Sequence, residues 1–421
     1  MNRIILIGNG FDLAHGMKTS YNDFINDYWE STIKKVQKYY DEEEFENEEI
    51  KISNLPTHWY PGYDFENFEK SLKNGNAMIQ FKNKFLEVIT NKKQIQNWVD
   101  IESEYYRLLK ESFKTGNRII DIRKLNKDFL AIRELLREYL VKEEEKFKSQ
   151  SNNQTIMFDI GKKIYADFKP NNFTIDSFNL LLESQCLKLN KIINGLTKGE
   201  TDPNDLNSKD SFLIGSIGGQ ENIKQELAKK LKSPDSLNYF TFQPKEILFL
   251  NFNYTKTEEI YQNHNGFEED TRYKELLKKP IHIHGTLKEK NNDMIFGFGD
   301  ELDQDYKLIE DLNNNEYLEN IKSIKYLETN NYKEMLEFIN TDEYQVFIFG
   351  HSCGISDRTL LNTLFEHKNC VSIKPFYHKK QDSSDNYSDI LKNISRNFND
   401  KAVMRDKVVN KEYCEPLVGS K

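Results

Sequence analysis

The amino-acid sequence predicts an α/β protein in which a parallel sheet is interrupted, after its first strand, by a large helical insertion. Three observations predict it. The chain opens on Ile4-Ile5-Leu6-Ile7, a short apolar run of the kind that lies buried on both faces of a parallel sheet. Similar runs return in the C-terminal half, in "EILFLNFNYT", "IHIHGTL", "MIFGFG", "QVFIFGHSCGISD" and "NCVSIKPFY", each stopping at Gly, Asn, His or Asp. Between about Tyr21 and Leu237 the apolar spacing is mainly helical. The expected organisation is a first strand and glycine turn over residues 1–20, a mostly helical insertion over 21–237, and the remainder of the α/β domain over 238–421.

After the first strand comes Gly8-Asn9-Gly10. Glycine lacks the Cβ that would keep backbone from turning sharply and approaching a ligand, and N–H groups at a following helix start favour an anion. The turn is therefore expected to hold phosphate, although the third glycine of the dinucleotide fingerprint is missing. Phe11 to His15 fits one helical turn, which Gly16 ends in a left-handed conformation. Ser20 and Asp23 match a capping box, so a second helix should begin near Tyr21. Residues 22–40 read as an amphipathic helix and the acidic stretch 41–49 as a solvated linker or helix end. Within 94–113, Trp98, Ile101, Tyr105 and Leu108 follow helical spacing; Trp98, Asp100 and Glu102 are read as part of an amphipathic helix with exposed acids, the alternative being that they approach the site from the insertion. Residues 126–148 carry the strongest helical pattern, while 149–154 and 200–211 are polar and turn-rich joints.

Composition narrows the function classes. At 421 residues the chain can bury a large core. A formal charge of −9 argues against general nucleic-acid coating, which requires many cationic contacts to phosphates. No secretory leader precedes Ile4 and no apolar run of about 18 residues follows, so a cytoplasmic protein without a membrane segment is expected. Cys186, Cys353, Cys370 and Cys414 are too far apart for a C-x-x-C zinc module and should stay reduced.

The polar residues that end the strands would gather beyond the carboxyl edge of a Rossmann-like sheet, where open α/β proteins bind ligands. His282 and His284, two apart, would share one face of a regular strand, with His282 deeper and equally suited to packing or to supporting the site. No third ligand lies close in sequence, so no metal is expected there. Around His351-Ser352 the G-x-S-x-G spacing of a nucleophile elbow is absent, which leaves a ligand-contacting loop as the better reading.

The opening "LIGNGFDLAHGMKTSYNDF", with "WVDIE", "HIHG" and "GHSCGISD", resembles the AbiH family of bacterial abortive infection proteins over nearly the whole chain. More remotely, Gly8-Asn9-Gly10, Asn251-Phe252-Asn253-Tyr254, His282-Ile283-His284-Gly285 and Gly350-His351-Ser352, with Asp357 beyond, resemble the ordered motifs of sirtuin-like NAD-binding domains. That resemblance implies that Gly8 and Gly10 hold the dinucleotide phosphates, that Asn253 approaches the nicotinamide ribose, and that His284 contacts ribose hydroxyls. Asn9, Asp12, Gly350, Ser352 and Asp357 are expected to bind the dinucleotide as well. The paired cysteines of the sirtuin zinc module are missing, so protein deacylation is not implied. Thr255 stands where the pattern often has Asp, and the turn reads Gly-Asn-Gly-Phe-Asp where sirtuins have Gly-Ala-Gly-Ile-Ser.

The resemblance implies anti-phage defence by hydrolysis of NAD, the substrate, to nicotinamide and ADP-ribose. Nicotinamide leaves as a neutral base, so the reaction needs a held pyridinium, a stabilised ribosyl cation and a positioned water. Asn253 and His284 are the expected catalytic residues: an amide both donates and accepts, and a histidine exchanges protons near neutrality. The alternative is a non-catalytic nucleotide-binding sensor of infection, which Thr255 favours; a nuclease is disfavoured because no close cluster of acids forms a metal site. The expected partners are the dinucleotide and an unknown phage-derived trigger, with homo-oligomerisation left open.

Overall fold

The computed structural model describes residues 1–39, 42–55, 62, 64–91, 98–114, 121–150, 153–217, 222–262, 275–380, 382 and 384–419. Among them are eight strands: β1 (Asn2–Ile7), β2 (Glu44–Glu46), β3 (Ile50–Ser53), β4 (Met78–Phe81), β5 (Ile247–Asn251), β6 (Ile281–His282), β7 (Tyr344–Phe349) and β8 (Cys370–Phe376). Five of them form a parallel sheet in the order β6-β5-β1-β7-β8. The opening strand is thus central. The chain moves outward on one side of it, then returns to build the other side, so the order reverses between β1 and β7 and leaves a crevice at their carboxyl ends.

Both faces of the sheet are covered, as its continuous apolar runs require. Ile4, Leu6, Leu250 and Ile348 face the helices Asn331–Thr341, Arg358–Glu366 and Tyr387–Asn397. Ile5, Ile7, Phe249 and Phe347 face the helix Gln154–Ile164 through Met157, Ile160 and Ile164. A second core joins the helices Tyr21–Val36, Trp98–Lys114 and Ile122–Ser149. A third gathers the helices Ile175–Lys198, Ser208–Ile217 and Ile223–Lys232. Gly16 has φ +85°, and Ser20 and Asp23 form the capping box that starts the helix at Tyr21.

Several expectations are corrected. The helix at the glycine turn begins earlier than Phe11, spanning Asn9–Ala14. The acidic stretch 41–49 contains β2, which pairs with β3 and through it with β4 in a small antiparallel sheet; alternation of Phe45 with exposed glutamates gives it one buried face. Tyr40, Asp41, residues 94–97 and 151–152, and the side chain of Trp98 lie outside the described residues. "MIFGFG" is not a strand. Phe296 stacks on Phe129 and Phe298 on Tyr106, and a Cβ on Gly297 would stand 2.1 Å from the Asn320 carbonyl, so the segment is held by packing against helices. β6 ends at His282, and a turn closed by Gly285 N–H to the His282 carbonyl follows, so His282 and His284 do not share a strand face.

Candidate functional site

A cavity of about 1110 Å³ opens beyond the carboxyl ends of β1, β5 and β7. Gly8, Asn9, Gly10 and Asp12 reach it from the turn after β1, Asn253 from the loop after β5, and His284 from the turn after β6. Gly350 and Ser352 reach it from the loop after β7, and Asp357 from the turn beyond. All nine expected site residues therefore line one cavity.

The two glycines of the turn do not adopt the left-handed conformation; their missing side chains allow a close approach of backbone. Neither Gly8 nor Gly10 has positive φ; a Cβ on Gly8 would stand 2.5 Å from His351 Cα, and one on Gly10 2.8 Å from the Gly350 carbonyl oxygen. The missing side chains let the turn press against the loop after β7, where Gly350 has φ +73°. Gly8 N–H donates to the Phe349 carbonyl (3.1 Å) and Gly10 N–H to that of Gly350 (2.9 Å), so these two donors are already engaged. Asn9 Oδ1 accepts from Thr19 Oγ1 at 2.7 Å, which fixes its side chain with the NH2 group as its remaining donor.

Asn253 is held from below. Asn251 Oδ1 accepts from Asn253 N–H (2.8 Å), while Asn251 Nδ2 donates to Glu258 Oε2 (2.7 Å) and Glu258 Oε1 meets His282 Nε2 (2.9 Å). His282 does not line the cavity, and belongs to this supporting chain. Burial opposes charge on His282, but the bond and charge of Glu258 outweigh it and raise its pKa. Above this support, Asn253 Nδ2 and Asp12 Oδ1 are both buried without a hydrogen-bond partner at bonding distance among the described residues. Asp12 Oδ2 accepts from Thr255 Oγ1 at 2.5 Å. Burial raises the Asp12 carboxyl to about 7, against the pull of Thr255, Thr257 and the Asn253 amide, which favour its charged form. An acid poised near neutrality thus sits beside the Asn253 amide.

His284 faces Asp357. The Phe252 carbonyl lies 3.1 Å from His284 Nδ1 and Asp357 Oδ1 lies 3.2 Å from Nε2, and both can only accept, so the two ring nitrogens compete for the single proton of the neutral ring. Tyr326 Oη lies 3.2 Å from Nε2. Burial, with help from the Lys322 charge, lowers His284 to about 4. His351 turns the other way, since its Nδ1 accepts from Cys353 N–H (3.0 Å) and its Nε2 stands 3.6 Å from Asp357 Oδ2. Asp357 stays charged despite its burial because Lys322 Nζ lies 2.8 Å from it and both imidazoles face it. The same ammonium meets Glu102 at 2.8 Å.

Lys322 and Glu102 are cavity residues that the expected set lacked. Glu102 falls at helical spacing with Tyr105, Tyr106 and Leu109, all buried, so its place on the apolar stripe contradicts the exposed-acid reading. Nothing local in "NIKSIKY" distinguishes Lys322 from the other lysines. Among the described residues, no group of three or more His, Cys, Asp or Glu side chains could hold a metal ion, and no helix is long and apolar enough to cross a membrane.

The sheet and its cavity have the architecture of an open α/β protein with its crevice at the topological switch point. Within that class, the family model described as bacteriophage abortive infection AbiH matches residues 4–190 and 202–378. The chain belongs to the AbiH family, which points to a role in abortive infection against phage. Neither a curated protein nor a solved structure matches it.

Proposed function

We propose that this AbiH protein hydrolyses NAD to nicotinamide and ADP-ribose during phage infection, on a site of sirtuin-like type. The observation that carries the reading is the convergence of Asn253, His284, Asp12 and Asp357 on one cavity of about 1110 Å³, roomy enough for a dinucleotide. Water adds to C1′ of the nicotinamide ribose as the bond to the pyridinium nitrogen breaks; nicotinamide departs neutral and the water's proton is released. Asn253 offers its NH2, which has no partner at bonding distance among the described residues, to the ribose or the water. His284, kept neutral by burial, orients the water or a ribose hydroxyl through its ring nitrogen beside Asp357, and the proton passes on to solvent. The phosphates lie along Gly8 to Gly10, with Asn9 as a side-chain donor. Gly350 and Ser352 bound the opposite wall.

The test is release of nicotinamide from NAD, NADP or neither by the full chain, with and without a lysate of phage-infected cells, and with ATP as a control. Nicotinamide formed by the wild type and lost in Asn253→Ala supports the reading. Tight NAD binding with no nicotinamide under any condition makes the protein a nucleotide-binding sensor instead.

A further inference from the structure

Away from the dinucleotide cavity, the sheet face that meets helix Gln154–Ile164 carries an anomaly. Strands buried on both faces are expected to be apolar there. Instead Arg3, Gln345 and Ser372 form a row across β1, β7 and β8, followed by Lys374 beside Phe347, and these four polar residues are only 0–3% exposed. Such groups are costly to bury without partners. Gln345 Nε2 donates to Ser372 Oγ at 2.9 Å, but Gln345 Oε1 has no partner at bonding distance, and neither have Asn172 Oδ1 and Asp167 Oδ1. Lys374 lies 3.3 Å from the half-exposed Glu415 and over the Phe376 ring. Gln345, Asn172, Asp167 and Lys374 all line a separate pocket of about 290 Å³, floored by Phe347 and Phe376.

We infer that this pocket binds a small zwitterion of the α-amino-acid class, its ammonium received by the unpaired oxygens of Gln345, Asn172 and Asp167 and its carboxylate by Lys374. The volume lies at the low end of ligand sites, about 300–1,000 Å³, and so fits an amino acid better than a nucleotide. Three acceptors without donors, beside an Arg3 whose Nε and Nη2 are likewise unpaired among the described residues, call for a ligand that brings both N–H groups and a carboxylate, which an α-amino acid does and inorganic phosphate does not. The lysines around the wall, Lys162, Lys163, Lys169 and Lys374, exceed the acids Asp159, Asp167 and Glu415 by one, so an acidic amino acid would leave the lining neutral. Helix Gln154–Ile164 and the segment from Glu415 to Gly419 contribute to this pocket and to the larger cavity, which gives a bound amino acid a route to influence the larger site. The inference is independent of NAD chemistry.

The experiment is calorimetric titration of the full chain with each of the twenty L-amino acids, and with inorganic phosphate, alongside Gln345→Met and Lys374→Met. Saturable binding of at least one amino acid is expected, strongest for glutamate or aspartate and weakened tenfold or more in both variants. Gln345→Met also takes the partner from the buried Ser372 Oγ and should melt somewhat lower than wild type, so binding is measured well below its melting temperature, and Lys374→Met, which leaves that bond intact, provides the second readout. Absence of binding by all twenty at 10 mM, binding of phosphate alone, or amino-acid binding untouched by both variants would overturn the assignment.

Discussion

Thr255 Oγ1 donates to Asp12 Oδ2 at 2.5 Å, tying the loop after β5 to the first helix across the floor of the cavity. Each residue departs from the sirtuin-like pattern, Asp12 standing where that pattern has Ser and Thr255 where it has Asp. In this chain the two residues meet, which places a carboxyl group and a hydroxyl together at the cavity floor.

Asp12 should make stability fall with pH. Its ordinary value is 3.8 and its folded value about 7, so between these the folded chain keeps a proton that the unfolded chain has released. The stabilising contribution is full below about pH 4 and is lost as pH rises through 7. Asp12→Asn removes the titration, and should melt about 2–5 °C above wild type at pH 8 and level with it at pH 4. Equal melting temperatures at both pH values would contradict the buried, protonated carboxyl.

Lys322 balances Glu102 and Asp357 within the fold. Lys322→Met leaves two buried carboxylates without their cation and should cost about 3–5 kcal/mol in urea unfolding. Adding Glu102→Gln should recover part of that loss. A Lys322→Met protein as stable as wild type would show that the ammonium is not what holds the two acids.

The glycine turn gives a packing prediction in place of a conformational one. Gly10→Ala puts a methyl 2.8 Å from the Gly350 carbonyl oxygen, and overpacking of this kind costs about 1–3 kcal/mol. Gly16→Ala meets no neighbouring atom within 4 Å and is strained only by φ +85°, so it should cost less. Thermal melts of the two variants compare them directly; a milder effect at Gly10 would contradict the close approach of the two loops.

Much of the fold was legible. The β-branched run at Ile4, the buried runs of β5, β7 and β8, and the capping box at Ser20 each carry a local signal that tertiary structure did not override. β2 to β4 were missed because each is only three or four residues long, too short for alternation to stand out in a charged segment. At the site, the residues that end strands were readable because strand ends converge in any open parallel sheet. Lys322 was not readable, since its role arises from acids contributed by Glu102 and Asp357, 220 and 35 positions away.

The central claim is tested most directly by following nicotinamide release from NAD by wild type, Asn253→Ala and His284→Ala, with melting temperatures taken on the same preparations and infected-cell lysate present. The wild type should release nicotinamide, and each variant should be slower by about 100-fold or more while remaining folded. Full activity in both folded variants would contradict the assignment of Asn253 and His284, and with it the proposed hydrolase.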